Sequence, residues 1–125
     1  MGNINVSVTV NVEIPHGDIE TLIDMAGYGV SYWANTAHDD GERYQVWYNE
    51  IEGDSSTEQT RTATYEELAN ALVEFAATGR GYVAEYAKQY LAERLAGDEY
   101  AAGNIDSELA DVIVQKVLFG QVIYG

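Results

Sequence analysis

Cysteine is absent from this chain, so disulfide frameworks, thiolate metal sites and cysteine nucleophiles are excluded together. A reducing compartment suits such a sequence. Basic residues are almost as scarce: Arg43, Arg61, Arg80, Lys88, Arg94 and Lys116 stand against 21 acids and leave a net charge of −15. A surface of that sign repels nucleic acid and anionic membranes. It suits divalent cations, basic proteins, or proteins whose own ligand is DNA, and it also simply keeps a small protein in solution. Missing too is any run of the roughly 18 apolar residues that a membrane span needs, and the start carries no secretion signal. The expected location is the cytoplasm. What is present is material for a core: 46% of residues are hydrophobic and ten are tyrosine, which argues against disorder. At 125 residues, one domain over residues 1–125 is expected.

The most regular stretch is residues 3–14, where Ile4, Val6, Val8, Val10, Val12 and Ile14 alternate with Asn3, Asn5, Ser7, Thr9, Asn11 and Glu13. This pattern predicts a long strand with one buried face. After Pro15, the acids Asp18, Glu20 and Asp24 accompany Ile19, Leu22, Ile23 and Ala26 at helical spacing, predicting a short amphipathic helix that stops at Gly27. Residues 30–37 read as a strand in which adjacent Tyr32 and Trp33 face opposite sides. Asp40-Gly41 marks a tight hairpin into residues 43–51, where Tyr44, Val46 and Tyr48 share one face and Gln45, Trp47 and Asn49 the other. A turn at residues 53–56 leads to a polar edge strand over residues 57–62.

From Thr64 the period becomes helical. Thr64 and Glu67 form a capping box before Leu68, Leu72, Phe75 and Ala76. A second helix carries Val83, Ala87, Leu91 and Leu95 beside a tyrosine edge of Tyr82, Tyr86 and Tyr90. Asp106 or Ser107 caps a last helix that Gly120 ends. The expected fold class is therefore α+β: a four-stranded, mainly antiparallel sheet in the order strand, helix, three strands, with about three C-terminal helices packed on one face.

Three segments carry a resemblance: 12–15 (Val-Glu-Ile-Pro), 27–33 (Gly-Tyr-Gly-Val-Ser-Tyr-Trp), and the ending that holds Gln115, Phe119-Gly120 and Tyr124-Gly125. The chain resembles small acidic, uncharacterised proteins encoded by bacteriophages and prophages, which share a Tyr-Trp pair after the first helix and a Phe-Gly…Tyr-Gly ending. The resemblance covers the two ends rather than the middle. It implies phage origin and expression inside a bacterium, and it brings no established activity or functional residues.

Two groups of residues are candidate sites. Asp39, Asp40, Glu42, Glu50, Glu52 and Asp54 belong to a stretch from Asp39 to Glu67 that holds nine acids and two arginines. Strand spacing would set Glu50 and Glu52 about 6 to 7 Å apart, close to the repeat of DNA phosphates. A solvated edge that guards against aggregation explains the same residues. The second group is Tyr28, Tyr32 and Trp33, flanked by Gly27 and Gly29, a stacking pocket for a planar ligand; the plainer reading is that the rings fill the core, because helix termination already explains Gly27. His16 and His38, each beside acids, are the only histidines for a metal or general base, and solvated turns explain them better. No catalytic residue, metal or cofactor is assigned. At the other end, docking of the last residues against the sheet or across a twofold axis is expected, with Gln115 satisfying a buried backbone group.

The leading expectation is a non-enzymatic phage accessory protein that binds a host protein, with the acids imitating DNA toward a DNA-binding or defence protein. The first alternative is a self-associating module or homodimer built on the tyrosine edge or the first strand. The second is a small enzyme or ligand-binding domain that uses the Tyr-Trp region.

Overall fold

The structure, a computed structural model, describes Ile4 and residues 12–124. The elements are α1 (His16–Val30), β1 (Ala34–Asp39), β2 (Arg43–Glu52), β3 (Ser55–Thr64), α2 (Tyr65–Thr78), α3 (Tyr82–Leu95), a 3₁₀ turn (Ala101–Asn104) and α4 (Ser107–Phe119). The class is α+β as expected, but the sheet is not four-stranded: among the described residues it has three antiparallel strands in the order β1-β2-β3. The predicted strand over residues 3–14 falls mostly outside the described residues, and Ile4 and Val12 to Ile14 belong to no strand. Among the described residues, β1 and β3 are the two edges of the sheet.

Position 15 through 30 departs from the reading as well. α1 does not stop at Gly27 but runs through Gly27 and Gly29 to Val30, which is buried. Tertiary contact overrides the weak helix propensity of glycine here. A Cβ at Gly29 would stand 2.7 Å from Cβ of Asp111 on α4, so the two helices approach this closely only because residue 29 has no side chain. The turn that follows, residues 31–33, holds Tyr32 and Trp33, which are therefore not strand residues with rings on opposite sides. β1 starts at Ala34 and is irregular between Ala34 and Thr36.

The two hairpins turn at Gly41 (φ 92°) and Gly53 (φ 58°), conformations that glycine adopts without strain. On β2, Tyr44, Val46 and Tyr48 are buried while Gln45 and Trp47 are half-exposed, which resolves a strand with aromatics on both faces. The buried tyrosines face the helices, and burial pushes the Tyr44 hydroxyl up to about 12. β3 is an edge, as its polar composition indicated. The capping box closes between Thr64 and Glu67, Asp106 accepts from the Leu109 amide to start α4, and Gly120 (φ 75°) ends it. Ile19, Leu22, Leu68, Leu72, Leu109 and Ile113 form the centre of the core between α1, α2 and α4.

One polar group is built into that core. Asp18 on α1 is buried and receives Nε of Arg94 at 2.9 Å, a guanidinium nitrogen at 2.7 Å and the Tyr90 hydroxyl at 2.6 Å. Burial, and then the carboxylate beside it, raises the Tyr90 hydroxyl far above the usual tyrosine range. The predicted tyrosine edge of α3 is thus split: Tyr90 is interior, whereas Tyr82 and Tyr86 are exposed.

His16 joins α1 to the first hairpin. Its Nε2 lies 2.7 Å from the Gly41 carbonyl and its Nδ1 2.8 Å from Glu20, so both nitrogens face acceptors and only the imidazolium satisfies both. The Gly41 carbonyl first, then Glu20, holds the His16 pKa above 6.5. A raised folded value means the contribution is full below 6.5 and is lost as pH rises through the folded pKa. Thermal midpoints are therefore expected to fall over that interval, by more in the native chain than in His16→Gln. Parallel curves for the two would remove this assignment.

Candidate functional site

The cleft of interest is formed where the end of α1, the turn after it, the start of α4 and the last residues meet. Its lining is Tyr28 and Gly29 from α1, Tyr32 and Trp33 from the turn, Ser107, Glu108 and Asp111 from α4, and Ile123 and Tyr124 from the end of the described chain. Its volume is about 750 Å³, within the usual range of small-ligand sites.

Trp33 and Tyr124 are each held by a definite device. The Trp33 indole donates to Oδ1 of Asp111 at 2.9 Å, and its ring lies flat against Tyr124, centroids 4.9 Å apart and planes within 3°. Phe119 meets Trp33 edge-on at 5.5 Å and Tyr48 at 5.0 Å, which ties this stack to the sheet. Tyr124 is positioned by Gln115, which has no exposed surface. The Gln115 carbonyl accepts from the amides of Ile123 (3.0 Å) and Tyr124 (2.8 Å), while its amide donates to the Tyr124 carbonyl and to Oδ2 of Asp111, both at 2.9 Å. The role of Gln115 is thus as the sequence indicated, whereas the last residues dock on α4 and Trp33, where docking against the sheet or across a twofold axis was expected.

The expectation that the rings fill the core is corrected for Tyr28 and Tyr32 and holds in part for Trp33, which packs against the core's edge. Tyr28 is 71% and Tyr32 92% exposed at the mouth of the cleft, and Trp33 is half-buried. Because α1 continues past Gly27, these residues are carried to the helix end and the turn, away from the sheet interior. Glu108 and Asp111, three residues apart on α4, supply two carboxylates, and among the described residues no lysine, arginine or histidine lines the cleft. The Tyr82 hydroxyl donates to Glu108, and this bond raises the Tyr82 pKa.

The six acids do not form one surface. Asp39, Asp40 and Glu42 lie at one end of β2 and Glu50, Glu52 and Asp54 at the other, roughly 30 Å away along a ten-residue strand. Asp40 accepts from the amides of Glu42 and Arg43, and Asp39 from the Gly41 amide and the Tyr65 hydroxyl of α2, so these two are engaged, while Glu42 is exposed. Glu50, Glu52 and Asp54 belong to residues 49–58, which are exposed throughout. His16 is occupied as described above, and His38 is exposed on β1. Among the described residues, no three His, Asp or Glu side chains are placed to hold a metal ion, and no helix is long and apolar enough to cross a membrane.

Asp111 and Glu108 went unnoticed as site residues in the sequence. Their signal was spacing: Glu108, Asp111 and Gln115 fall at i, i+3 and i+7 along one helix face. What results, among the described residues, is a three-stranded antiparallel sheet with four helices and an aromatic cleft floored by carboxylates. No family model, curated protein or solved structure matches the chain.

Proposed function

We propose that this protein is a non-enzymatic binding protein and that the cleft of Tyr28, Tyr32, Trp33 and Tyr124 is its binding site. The observation that carries the reading is the fixed Trp33 ring, stacked on Tyr124 and bonded to Asp111 at the floor of an open cleft. A preorganised aromatic wall with a few polar groups is the usual make-up of a recognition site, since little ordering entropy remains to be lost on binding. Expression from a phage genome in a bacterial cell is part of the proposal and rests on the resemblance of the terminal segments alone.

The test uses the two tryptophans as reporter and control. Trp33 lines the cleft, and Trp47 sits half-exposed on β2 with its side chain on the face away from the buried Tyr44, Val46 and Tyr48. In a fragment screen read by the indole cross-peaks, planar compounds are expected to move the Trp33 signal and leave Trp47 in place. Paired replacement of Tyr28 and Tyr32 by alanine should abolish the shifts. A screen that never moves Trp33 selectively overturns the reading.

A second reading, docking of a basic or DNA-binding host protein on Glu50, Glu52 and Asp54, is favoured by the full exposure of residues 49–58. It predicts a complex that weakens with salt and again when all three acids become amides. A complex indifferent to both would end it.

A further inference from the structure

The aromatic cluster has two ends, and they differ in charge. At the sheet end, Arg61 lies over the Phe119 ring, 5.7 Å from its centroid, donates to the Tyr48 hydroxyl at 3.0 Å and reaches the Leu118 carbonyl at 3.3 Å. A guanidinium is therefore already seated against aromatic faces there, with oxygen acceptors beside it. At the cleft end, the rings of Trp33 and Tyr124 stand beside Asp111 and Glu108. Asp111 takes bonds only from the neutral Trp33 indole and Gln115 amide, and Glu108 only from the Tyr82 hydroxyl; among the described residues neither is in an ion pair. Two carboxylates beside aromatic faces, with no cation among the described residues that line the cleft, make a site suited to a positive charge.

We infer that the cleft seats an arginine side chain presented by a basic segment of a partner protein. This deepens the binding proposal above and rests on it. The planar guanidinium satisfies both requirements of the site at once. Its faces suit the exposed tyrosines and the Trp33 edge, and its fork of N–H donors suits two carboxylates set three residues apart on one helix. Asp111 retains acceptor capacity, since a carboxylate offers about four lone-pair positions and two are used. A lysine ammonium is a compact, strongly hydrated charge and gains less from a flat aromatic wall. The net charge of −15 draws basic segments toward the whole surface, and the cleft selects among them.

The experiment titrates the intact protein with a short, capped glycine peptide carrying one central arginine, and with the same peptide carrying lysine or citrulline, the neutral isostere of arginine. The Trp33 and Trp47 indole cross-peaks are followed. The arginine peptide is expected to move Trp33 saturably and leave Trp47 in place, lysine to bind more weakly, and citrulline not to bind. Glu108→Gln, at an exposed position, should weaken the arginine peptide about tenfold with an unchanged circular dichroism spectrum. Equal responses to arginine and citrulline, movement of both tryptophans together, or indifference to Glu108→Gln would each overturn the inference. If neutral planar fragments move Trp33 while the arginine peptide does not, the cleft remains a binding site and only its proposed occupant is wrong. If neither moves it, both readings fall.

Discussion

Asp18→Ala is expected to lose about 3–5 kcal/mol of folding stability, the range seen when one partner of a buried ion pair is removed. The alanine would leave the Arg94 guanidinium, whose side chain is only 15% exposed, without its carboxylate, and the buried Tyr90 hydroxyl without its acceptor. Against a total stability of roughly 5–15 kcal/mol this is a large fraction, and the thermal midpoint should drop on the order of 10–20 °C. Urea unfolding of the variant measures it directly. The double replacement Asp18→Leu with Arg94→Met should recover much of the loss, because the cost lies in orphaning a buried charge rather than in the absence of the pair. A single-variant loss under about 1 kcal/mol would show that solvent reaches Arg94 freely.

Gln115→Leu has its largest effect on the site. The side chain keeps its volume but loses its bonds to the Ile123 and Tyr124 amides, the Tyr124 carbonyl and Asp111. Part of that loss is recovered by water at the chain end, so the expected cost is about 1–3 kcal/mol rather than four full hydrogen bonds. Hydrogen exchange should show the Ile123 and Tyr124 amides unprotected, and near-ultraviolet circular dichroism should lose the contribution of the Trp33 and Tyr124 stack. Any ligand of the cleft should then bind at least about tenfold more weakly, since one wall is no longer preorganised. Retained protection at both amides would mean that ring stacking alone holds the last residues, and Trp33→Ala would then be the change that frees them.

Local chemistry written in short stretches was legible in the sequence. The capping box of Thr64 and Glu67, the Asp106 cap, the Gly120 stop and the two hairpins follow from contacts within a few residues. The passage from strands to helices followed from the change of period at Thr64, although the expected four-stranded sheet has three strands among the described residues. The role of Gln115 was legible too, as a side chain expected to satisfy a buried backbone group beneath the docked end.

Other features depended on partners far along the chain. Gly27 and Gly29 read locally as a helix end, yet the helix continues because Asp111, more than eighty residues away, packs where a Cβ on residue 29 would lie. Asp18 read as one of three acids accompanying the apolar stripe of the first helix, and only the arrival of α3 turns it into the buried acceptor of Arg94 and Tyr90. The six acids read as one cluster because they are close in sequence, and an extended ten-residue strand separates them. The cleft joins side chains from residues 28 to 124, so no window of sequence contains it. Sequence by itself determined the caps, turns, periodicities and charge of this protein, because those depend on neighbours along the chain. Tertiary structure decided which polar groups are buried, where the first helix ends and which aromatics form a site, because those depend on what packs against them.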